Sequence, residues 1–392
     1  MNLIEDIVAR QREHASWRQD IHAHPELAYD EHRTAEVVAK KLESFGIQVV
    51  RGLGRTGVVG TLKAGRSDRS IGLRADMDAL PLQEKNTFPH ASRHAGVMHA
   101  CGHDGHTTML LAAAEYLAAQ RDFDGIVQFI FQPAEEGEAG AKAMMDDGLF
   151  RDFPMDAVYA IHNWPGLPVG KMAMRKGPAM AAFDIFELTI TGQGGHAALP
   201  HLVIDPIQVG AQLVQAWQTV ISRNVKAIDA AVLSVTQFHA GDAWAVVPEQ
   251  AVLRGTVRTF ANEVRALIER RMQEIAAGVC QAHGCRFDWR YEKRFPPTVN
   301  SAAETDIAAQ AAIAVCGAEH VNTQVEMVTG SEDFGYMLEE KPGCYAFIGN
   351  GPGDGGCLLH SPRFDFNDAV IPIGASYFVR LVHDRLSPVR HA

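Results

Sequence analysis

The sequence lacks the features that mark secreted and membrane proteins. Its six cysteines are few for 392 residues and form no C-x-x-C pair, which is typical of a reducing compartment. No apolar run is long enough to cross a bilayer, and the amino terminus carries Glu5, Asp6 and Arg10 in place of the apolar stretch of a secretory signal. We therefore expect a soluble, cytoplasmic protein that has no membrane partner.

Positive charge is also scarce. Lys and Arg number 36 against 47 Asp and Glu, which gives a formal net charge of -11. Because such a surface repels a phosphate backbone, we do not expect nucleic acid as a partner. The length exceeds what one compact core normally accommodates, so two domains are expected.

What the sequence does contain is a dense group of potential metal ligands. The segment His99–His106 holds three histidines and one cysteine among glycines, which permit a tight loop. Cys101 and His103 stand two residues apart, so their side chains can converge on one point. His99 and His106 are alternative ligands in the same loop, and His106 equally suits a role in capping or packing the following helix.

Further candidate ligands stand where apolar segments end. Glu135 and Glu136 follow a strand without charge, His162 closes a second apolar run, and His360 follows a glycine-rich loop. A solvated pair or a helix start would also explain the two glutamates, but adjacent carboxylates are costly to bury without a cation. With a cation, one carboxylate can bind metal while the other transfers protons, as hydrolysis requires.

The pattern of the first part of the chain predicts an α/β fold. Helices are predicted over residues 3–20, 31–46 and 107–119, the last capped by Asp104 or Thr107, and strands over 47–50, 57–62, 70–73, 125–131 and 157–161. Strands without polar alternation are buried on both faces. We therefore expect a mainly parallel sheet covered by helices, with ligands at the carboxyl ends of its strands.

A different order of predicted strands and helices appears between residues 183 and 294. Strands are predicted over 183–191, 230–239, 247–260 and 286–291, with helices over 205–222 and 262–283. This order is that of ferredoxin-like modules. We predict an inserted α+β domain at 183–294, flanked by hinges at Gly177-Pro178 and Pro296-Pro297, within a discontinuous domain formed by 1–182 plus 295–392.

Three other sequence patterns suggest a functional site at first, but their context favours a structural role. Gly52–Gly57 matches G-x-G-x-x-G but precedes a strand rather than a helix, which argues against a nicotinamide cofactor. His22 and His24 form an H-x-H pair at the end of a helix, so a packing role is favoured. The pair Glu332-Asp333 is typical of a helix start, where the dipole favours acidic residues.

Five segments, in order along nearly the whole chain, carry the most specific signal. They are GLRADMDALP (72–81), MHACGHDGH (98–106), QPAEEG (132–137), GGHAA (194–198) and GSEDF (330–334). Together they resemble the hippurate hydrolase and auxin-conjugate hydrolase group of the zinc-dependent aminoacylase and carboxypeptidase superfamily.

The resemblance implies a dinuclear metallohydrolase. Two divalent metal ions are implied, with Cys101, His103, Glu136, His162 and His360 as ligands and Glu135 as general base and then general acid. The superfamily has H-x-D where this chain has Arg74-Ala75-Asp76, which removes one histidine and gives the thiolate of Cys101 a bridging role. The soft thiolate favours zinc, while manganese, nickel and cobalt stay open.

The resemblance also implies a role for the inserted domain as a lid and as the contact of a homodimer, with pairing of dimers into a tetramer left open. His196 is expected near the scissile carbonyl, in its own subunit or in the partner. Asn224 and Arg258 are expected to contact the substrate carboxylate, although a structural contact explains them equally well.

The implied reaction cleaves the amide bond of N-acyl amino acids, whether hippurate-like, N-acetyl or indoleacetyl, to a carboxylic acid and a free amino acid. A metallo-exopeptidase, either a dipeptidase or a carboxypeptidase, is the alternative within the same fold. A binding or metal-buffering protein is the alternative from another class. It would have a closed coordination shell and no task for Glu135 beside Glu136.

Overall fold

The computed structural model describes residues 1–352 and 357–387, so part of the glycine-rich loop before His360 lies outside the described residues. The chain divides into two compact units. The first unit comprises Met1–Ala179, Val299–Glu326 and Asp333–Ala392, and the second comprises Met180–Thr298 and Met327–Glu332. Within the described ranges, no helix is both long and apolar enough to cross a membrane.

Helices and strands alternate along the chain. The α-helices are α1 (Glu5–Ala9), α2 (Gln11–Ala23), α3 (His32–Ser44), α4 (His103–Gln120), α5 (Gly140–Asp146), α6 (Leu149–Asp152), α7 (Pro206–Arg223), α8 (Asn262–Ala282), α9 (Ala302–Cys316), α10 (Gly335–Glu340) and α11 (Ile371–Arg385). Short 3-10 helices cover Pro200–Leu202, Ala318–His320 and Asp368–Val370.

The strands of the described residues include both long ones and short ones of two to four residues. They are β1 (Gln48–Leu53), β2 (Gly57–Ala64), β3 (Ser70–Asp76), β4 (Gly125–Gln132), β5 (Ala157–Pro165), β6 (Met172–Ala173), β7 (Gly177–Met180), β8 (Ala182–Thr191), β9 (Gly195–His196), β10 (Ala231–His239), β11 (Val246–Val247), β12 (Gln250–Thr259), β13 (Arg286–Phe295), β14 (Thr298–Asn300), β15 (Val321–Asn322) and β16 (Gly343–Gly351).

A mixed, mostly parallel sheet forms the centre of the first unit. Its strand order is β1-β2-β4-β3-β5-β16-β6-β15, and the central pairs β4/β3, β3/β5 and β5/β16 are parallel. Strands β3 and β16 are buried along their whole length, as expected for strands without polar alternation that are covered on both faces. The prediction of a mainly parallel sheet is therefore confirmed. Because β4 and β5 both run parallel to β3, their carboxyl ends lie at the same edge.

Helix α4 connects this core to the candidate ligands. It is rich in Ala and Leu and packs against α2 and α11, with most of its residues buried. The sequence analysis placed the start of this helix at Thr107, but the structure starts it at His103. The predicted cap by Asp104 or Thr107 is also wrong, because the N-cap residue is Gly102 and no side chain within the described ranges makes a capping hydrogen bond.

Two other predicted boundaries shift. The helix expected over residues 3–20 is divided into α1 and α2, with Arg10 between them. Strand β5 continues to Pro165, so His162 lies inside the strand near its carboxyl end rather than after it. Its side chain nevertheless stays at the ligand-bearing edge of the sheet.

The second unit has its own sheet and core. Its antiparallel strand order is β10-β12-β8-β13, and helices α7 and α8 pack against the sheet. Alternate residues of β8, namely Phe186, Leu188 and Ile190, are buried against Trp217 and the other apolar side chains of these helices. The segment Met327–Glu332, outside the predicted range of 183–294, also belongs to this unit.

Candidate metal centre

The candidate ligands come together at the carboxyl edge of the sheet in the first unit. Among the described residues, possible ligand atoms form five groups, and within each group they lie within 4.8 Å of one another. Three groups consist of predicted site residues, namely Cys101 with His103 and His162, Cys101 with Glu136 and His360, and His103 with Glu135 and Glu136. The other two are Asp76 with His103 and His106, and Glu135 with Glu332 and Asp333. Because the first three groups share members, their six side chains form one continuous cluster.

A glycine places the first two ligands. Gly102 adopts φ of 95°, and a Cβ atom there would lie 2.3 Å from Oδ1 of Asn163. Only glycine satisfies both conditions, since other residues rarely adopt a positive φ and would also clash. Gly102 therefore makes the turn that separates Cys101 from His103, the first residue of α4.

The imidazole rings are oriented by backbone carbonyls. Nδ1 of His103 lies 2.9 Å from the carbonyl oxygen of Asp78 and Nδ1 of His162 lies 2.8 Å from that of Asn163. A carbonyl only accepts, so both Nδ1 atoms carry the proton and donate. When the ring is neutral, each Nε2 has a lone pair that faces the cluster, the arrangement usual for metal-bound histidine.

The alternative ligands in the same segment have different surroundings. Both ring nitrogens of His106 are engaged, Nδ1 with Oδ1 of Asp76 and Nε2 with Oδ1 of Asn163, each at 2.6 Å. His106 thus holds Asn163 in place behind the cluster. His99 is buried but shares no ligand group with other described residues.

Charge accumulates in the cluster. Burial raises the pKa of the Cys101 thiol, and the charges of Glu136, Glu135 and Asp76 raise it further. Burial lowers the pKa of His103, but neighbouring carboxylates, Asp76 foremost, raise it to about 10. So many buried carboxylates are unfavourable unless a positive charge lies among them.

The donor set fits divalent transition-metal ions. Among the described residues, Nε2 of His103 and Oε1 of Glu136 are buried without a hydrogen-bond partner, although Oε1 of Glu136 lies 3.1 Å from Nε2 of His360. Burial, and then the neighbouring imidazole of His106, hold the pKa of His162 well below its usual value, which favours the neutral ring that a ligand requires. Thiolate, imidazole and carboxylate donors together suit such ions.

Sequence reasoning missed Asp78, which holds two parts of the site. Its Oδ2 accepts a hydrogen bond from the backbone N–H of Glu136 at 2.9 Å, and its Oδ1 lies 3.2 Å from Nδ1 of His103. The signal was present in GLRADMDALP, where two acidic residues follow a buried strand that ends at this edge.

Arg74 and Asp333 form a buried ion pair beside the site. The Arg74 guanidinium contacts Asp333 at 3.0 Å and Asp76 at 2.6 Å. Asp333 lies just before α10, as expected of a helix start, but its carboxylate also accepts hydrogen bonds from the Gln132 side chain and the Ala141 amide. The interpretation of Glu332-Asp333 as a helix start therefore misses the main contact of Asp333, which is the ion pair with Arg74.

His196 is an exposed residue of β9 in the second unit. Its Nδ1 accepts a hydrogen bond from the backbone N–H of Ala198 at 3.1 Å. In the neutral ring the proton then resides on Nε2, which makes Nε2 a hydrogen-bond donor.

The other two candidates of this unit have local partners. Asn224 follows α7, and its Oδ1 accepts from Nε of Arg271 at 3.3 Å. Arg258 lies on β12, donates to Oγ of Ser331 at 3.0 Å and stacks 4.1 Å above the ring centre of Phe183.

Comparisons with known proteins agree with this chemistry. Residues 72–384 match the family model described as peptidase family M20/M25/M40. Hippurate hydrolase of Campylobacter jejuni subsp. jejuni serotype O:2 is 43% identical over 381 residues, which cover 97% of this chain and 98% of that protein. The N-acyl-L-amino acid amidohydrolase of Geobacillus stearothermophilus is 44% identical over 287 residues, 73% of this chain and 77% of that protein.

A solved structure extends the likeness to the fold. The YXEP protein of Bacillus subtilis, described as a dinuclear metal binding peptidase from the M20 family, gives a TM-score of 0.84 at 32% identity and covers 96% of this chain and 98% of its own. The resemblance found in the sequence motifs is thus confirmed. The chain is a metal-binding, amide-cleaving hydrolase that belongs to peptidase family M20/M25/M40.

Proposed function

We propose that the substrates are N-acyl amino acids of the hippurate-like, N-acetyl or indoleacetyl type, which the protein cleaves to a carboxylic acid and a free amino acid. The observation that carries the proposal is the buried Glu135 beside Glu136 in one group with His103. A metal-buffering protein needs only the ligand, whereas hydrolysis needs a second carboxylate for proton transfer. The names of the two relatives support the same substrate class.

Two divalent metal ions fit the donor cluster. Their proposed ligands are Cys101, His103, Glu136, His162 and His360, and Cys101 belongs to two of the groups, which suits a bridging thiolate. When bound, such ions supply positive charge that polarises the amide carbonyl and lowers the pKa of water. Thiolate and imidazole favour zinc over calcium and magnesium, and manganese, nickel and cobalt stay open as alternatives.

Proton transfer is assigned to Glu135. Its carboxylate takes a proton from the water that attacks the amide carbonyl, and the same group returns it to the departing amine nitrogen. His196 donates a hydrogen bond from Nε2 to the carbonyl oxygen as negative charge develops there. The contact between its Nδ1 and the Ala198 amide supports this role, because it leaves the proton on Nε2.

The second unit is proposed to bind the substrate carboxylate and to form a homodimer. Arg258 and Asn224 are the candidate carboxylate contacts. Support for an interface comes from β10, an edge strand of its sheet, and from exposed large apolar side chains in this unit, among them Ile228, Val232, Phe238, Trp244 and Val246. Contiguous exposed apolar surface is typical of interaction sites.

The test is hydrolysis of a panel of N-acyl amino acids and unblocked dipeptides, measured before and after treatment with EDTA. We expect faster release of amino acid from the N-acyl substrates, loss of activity in EDTA and recovery on adding zinc or manganese. Preference for dipeptides would favour an exopeptidase. Stoichiometric metal binding without hydrolysis of either class would contradict the proposal.

A further inference from the structure

The turn that carries Glu135 has an unusual backbone. Ala134, the residue before it, adopts φ of 54° and is fully buried. Residues with a side chain rarely adopt this left-handed conformation unless their surroundings hold them there. The direction of the Glu135 side chain depends on this conformation, because Ala134 sets where the chain goes after Pro133.

Two carboxylates from distant segments hold the amides on either side of Glu135. Oε1 of Glu31 accepts from the backbone N–H of Ala134 at 2.8 Å, and Oδ2 of Asp78 accepts from that of Glu136 at 2.9 Å. Glu31 is fully buried, and its Oε2 accepts from the Thr56 hydroxyl at 2.6 Å. Both oxygens of Glu31 are thus used, one of them on the turn.

Glu31 is not needed for the helix in which it stands. It occupies the N-cap position of α3, yet its side chain makes no capping hydrogen bond. Glu26 caps this helix instead, since its two oxygens accept from the backbone N–H groups of Arg33 at 2.9 Å and Thr34 at 2.8 Å. The Glu31 carboxylate is therefore available for a contact with Ala134, 103 residues away.

We propose that Glu31 is a positioning residue of the hydrolase, which holds Ala134 in its left-handed conformation and thereby aims Glu135 at the substrate. The inference rests on the proposed role of Glu135. The hydrogen bonds of the Glu31 side chain among the described residues are with the Ala134 amide and the Thr56 hydroxyl, so it acts on the turn through one hydrogen bond to the backbone. Position of the acceptor atom, rather than charge, is what this role requires.

Three substitutions separate position from charge. Glu31→Asp keeps the charge but withdraws the carboxylate from Ala134 by one methylene, whereas Glu31→Gln removes the charge and keeps an oxygen acceptor in place. Glu26→Asp makes the same chemical change in a carboxylate that also accepts from backbone amides nearby. Each variant is compared with the wild type by kcat, KM, metal content and hydrogen–deuterium exchange of peptides covering 132–137.

We expect Glu31→Asp to lower kcat by about a hundredfold, the loss typical of a catalytic group displaced by about 1 Å. KM and metal content should change little, and amide exchange in 132–137 should accelerate. Glu31→Gln should retain slow exchange and kcat within about threefold of the wild type, because its oxygen still accepts from Ala134. Glu26→Asp should lower the melting temperature and leave both the exchange and kcat unchanged.

The outcomes distinguish the two proposals. If the wild type hydrolyses N-acyl amino acids and Glu31→Asp has wild-type kcat and exchange, the positioning role is wrong while the proposed function stands. If Glu31→Gln loses as much activity as Glu31→Asp, charge rather than position matters and the inference is also wrong. If the wild type does not hydrolyse these substrates, the proposed function fails, and exchange alone shows whether Glu31 holds the turn.

Discussion

At the scale of single residues, the site depends on polar atoms whose role as hydrogen-bond donor or acceptor is fixed by their partners. His103 and His162 give their Nδ1 protons to backbone carbonyls, so only Nε2 is left for a cation. Glu136 has its amide fixed by Asp78, and its Oε1, which lies 3.1 Å from Nε2 of His360, has no hydrogen bond from the residues that the structure describes. Glu135 and Glu136 are adjacent and point in different directions, and the proposed division between proton transfer and metal binding rests on that difference.

Substitution of the two glutamates tests this separation. Glu135→Gln should retain metal and lower kcat by about 100-fold to 10,000-fold, the range for loss of a general acid–base group. Glu136→Gln should instead lose metal, because an amide is a weaker ligand than a carboxylate. Metal content and kcat of both proteins provide the measurement. A Glu135→Gln enzyme with near-normal kcat would overturn the assignment of the base.

His22 gives the fold a dependence on pH. Burial lowers its pKa, but the charge of Asp104 and the hydrogen bonds to Asp104 and Glu84 raise it to about 9. Since the ordinary value is about 6.5, the charged ring stabilises the folded state below pH 6.5, and this contribution is lost as the pH rises through 9. The stabilisation that is lost across this pH range is on the order of 3 kcal/mol.

We therefore expect the stability difference between the wild type and His22→Asn to shrink between pH 6.5 and 9.5. Urea unfolding at fixed metal concentration measures the difference at each pH. Because Asn does not titrate, the unfolding free energy of His22→Asn as a function of pH reports every pH effect other than that of His22. A difference that stayed constant over this range would show that His22 does not carry the charge in the folded state.

At the scale of elements, the sequence predicts the parts of the site that come from strands. Strands β4 and β5 are recognisable because each is an apolar run without charge. Glu135 and Glu136 lie just after the end of β4, and His162 lies near the end of β5, so all three could be placed from the sequence. The start of α4 is not recognisable in this way. It depends on Gly102 facing Asn163, a contact across 61 residues that no local pattern shows.

The residues missed by sequence reasoning share a physical feature. Asp78 and Glu31 act on backbone N–H groups of the turn after β4, 58 and 103 residues away. A backbone amide has no side-chain signature, so neither partner can be recognised from residue type. By contrast, Cys101 and His103 are recognised at once, because their side chains themselves are the proposed ligands.

Gly102 is the element boundary most sensitive to substitution. Gly102→Ala should destabilise the fold by about 1–3 kcal/mol through its positive φ, with an additional loss from the clash with Asn163 that reduces metal content. Gly96→Ala is the matched control, since Gly96 has φ of 77° and nothing within 4 Å of an added Cβ. Thermal unfolding and metal content of both variants give the comparison. Equal effects would mean that backbone strain alone explains Gly102.

At the scale of the whole molecule, the chain forms two units with separate cores, and the proposed roles fall on both. The ligand cluster and Glu135 belong to the first unit, whereas His196, Asn224 and Arg258 belong to the second. Sequence patterning predicts each unit because each has its own periodicity, alternating in β8 and uniformly apolar in β3 and β16. Patterning does not reveal whether, in the proposed homodimer, the second unit of the same chain or that of the partner serves a given cluster.

Mixed dimers test that question. Glu135→Gln and His196→Ala should each be inactive, the latter by loss of one oxyanion donor, which costs about a hundredfold or more in kcat. The two variants are mixed in equal amounts under conditions of demonstrated subunit exchange. Each variant taken alone through the same exchange is the control, and a wild-type sample fixes the scale.

The expected result follows from counting sites. If His196 acts on the partner subunit, a mixed dimer has one site with Glu135 and His196 both intact, and random exchange restores about a quarter of wild-type activity, because about half of the dimers are mixed and each has one intact site of two. If His196 acts within its own subunit, every site retains one defect and the mixture stays inactive. Exchange without recovery would therefore exclude action across the dimer and leave the hydrolase assignment intact.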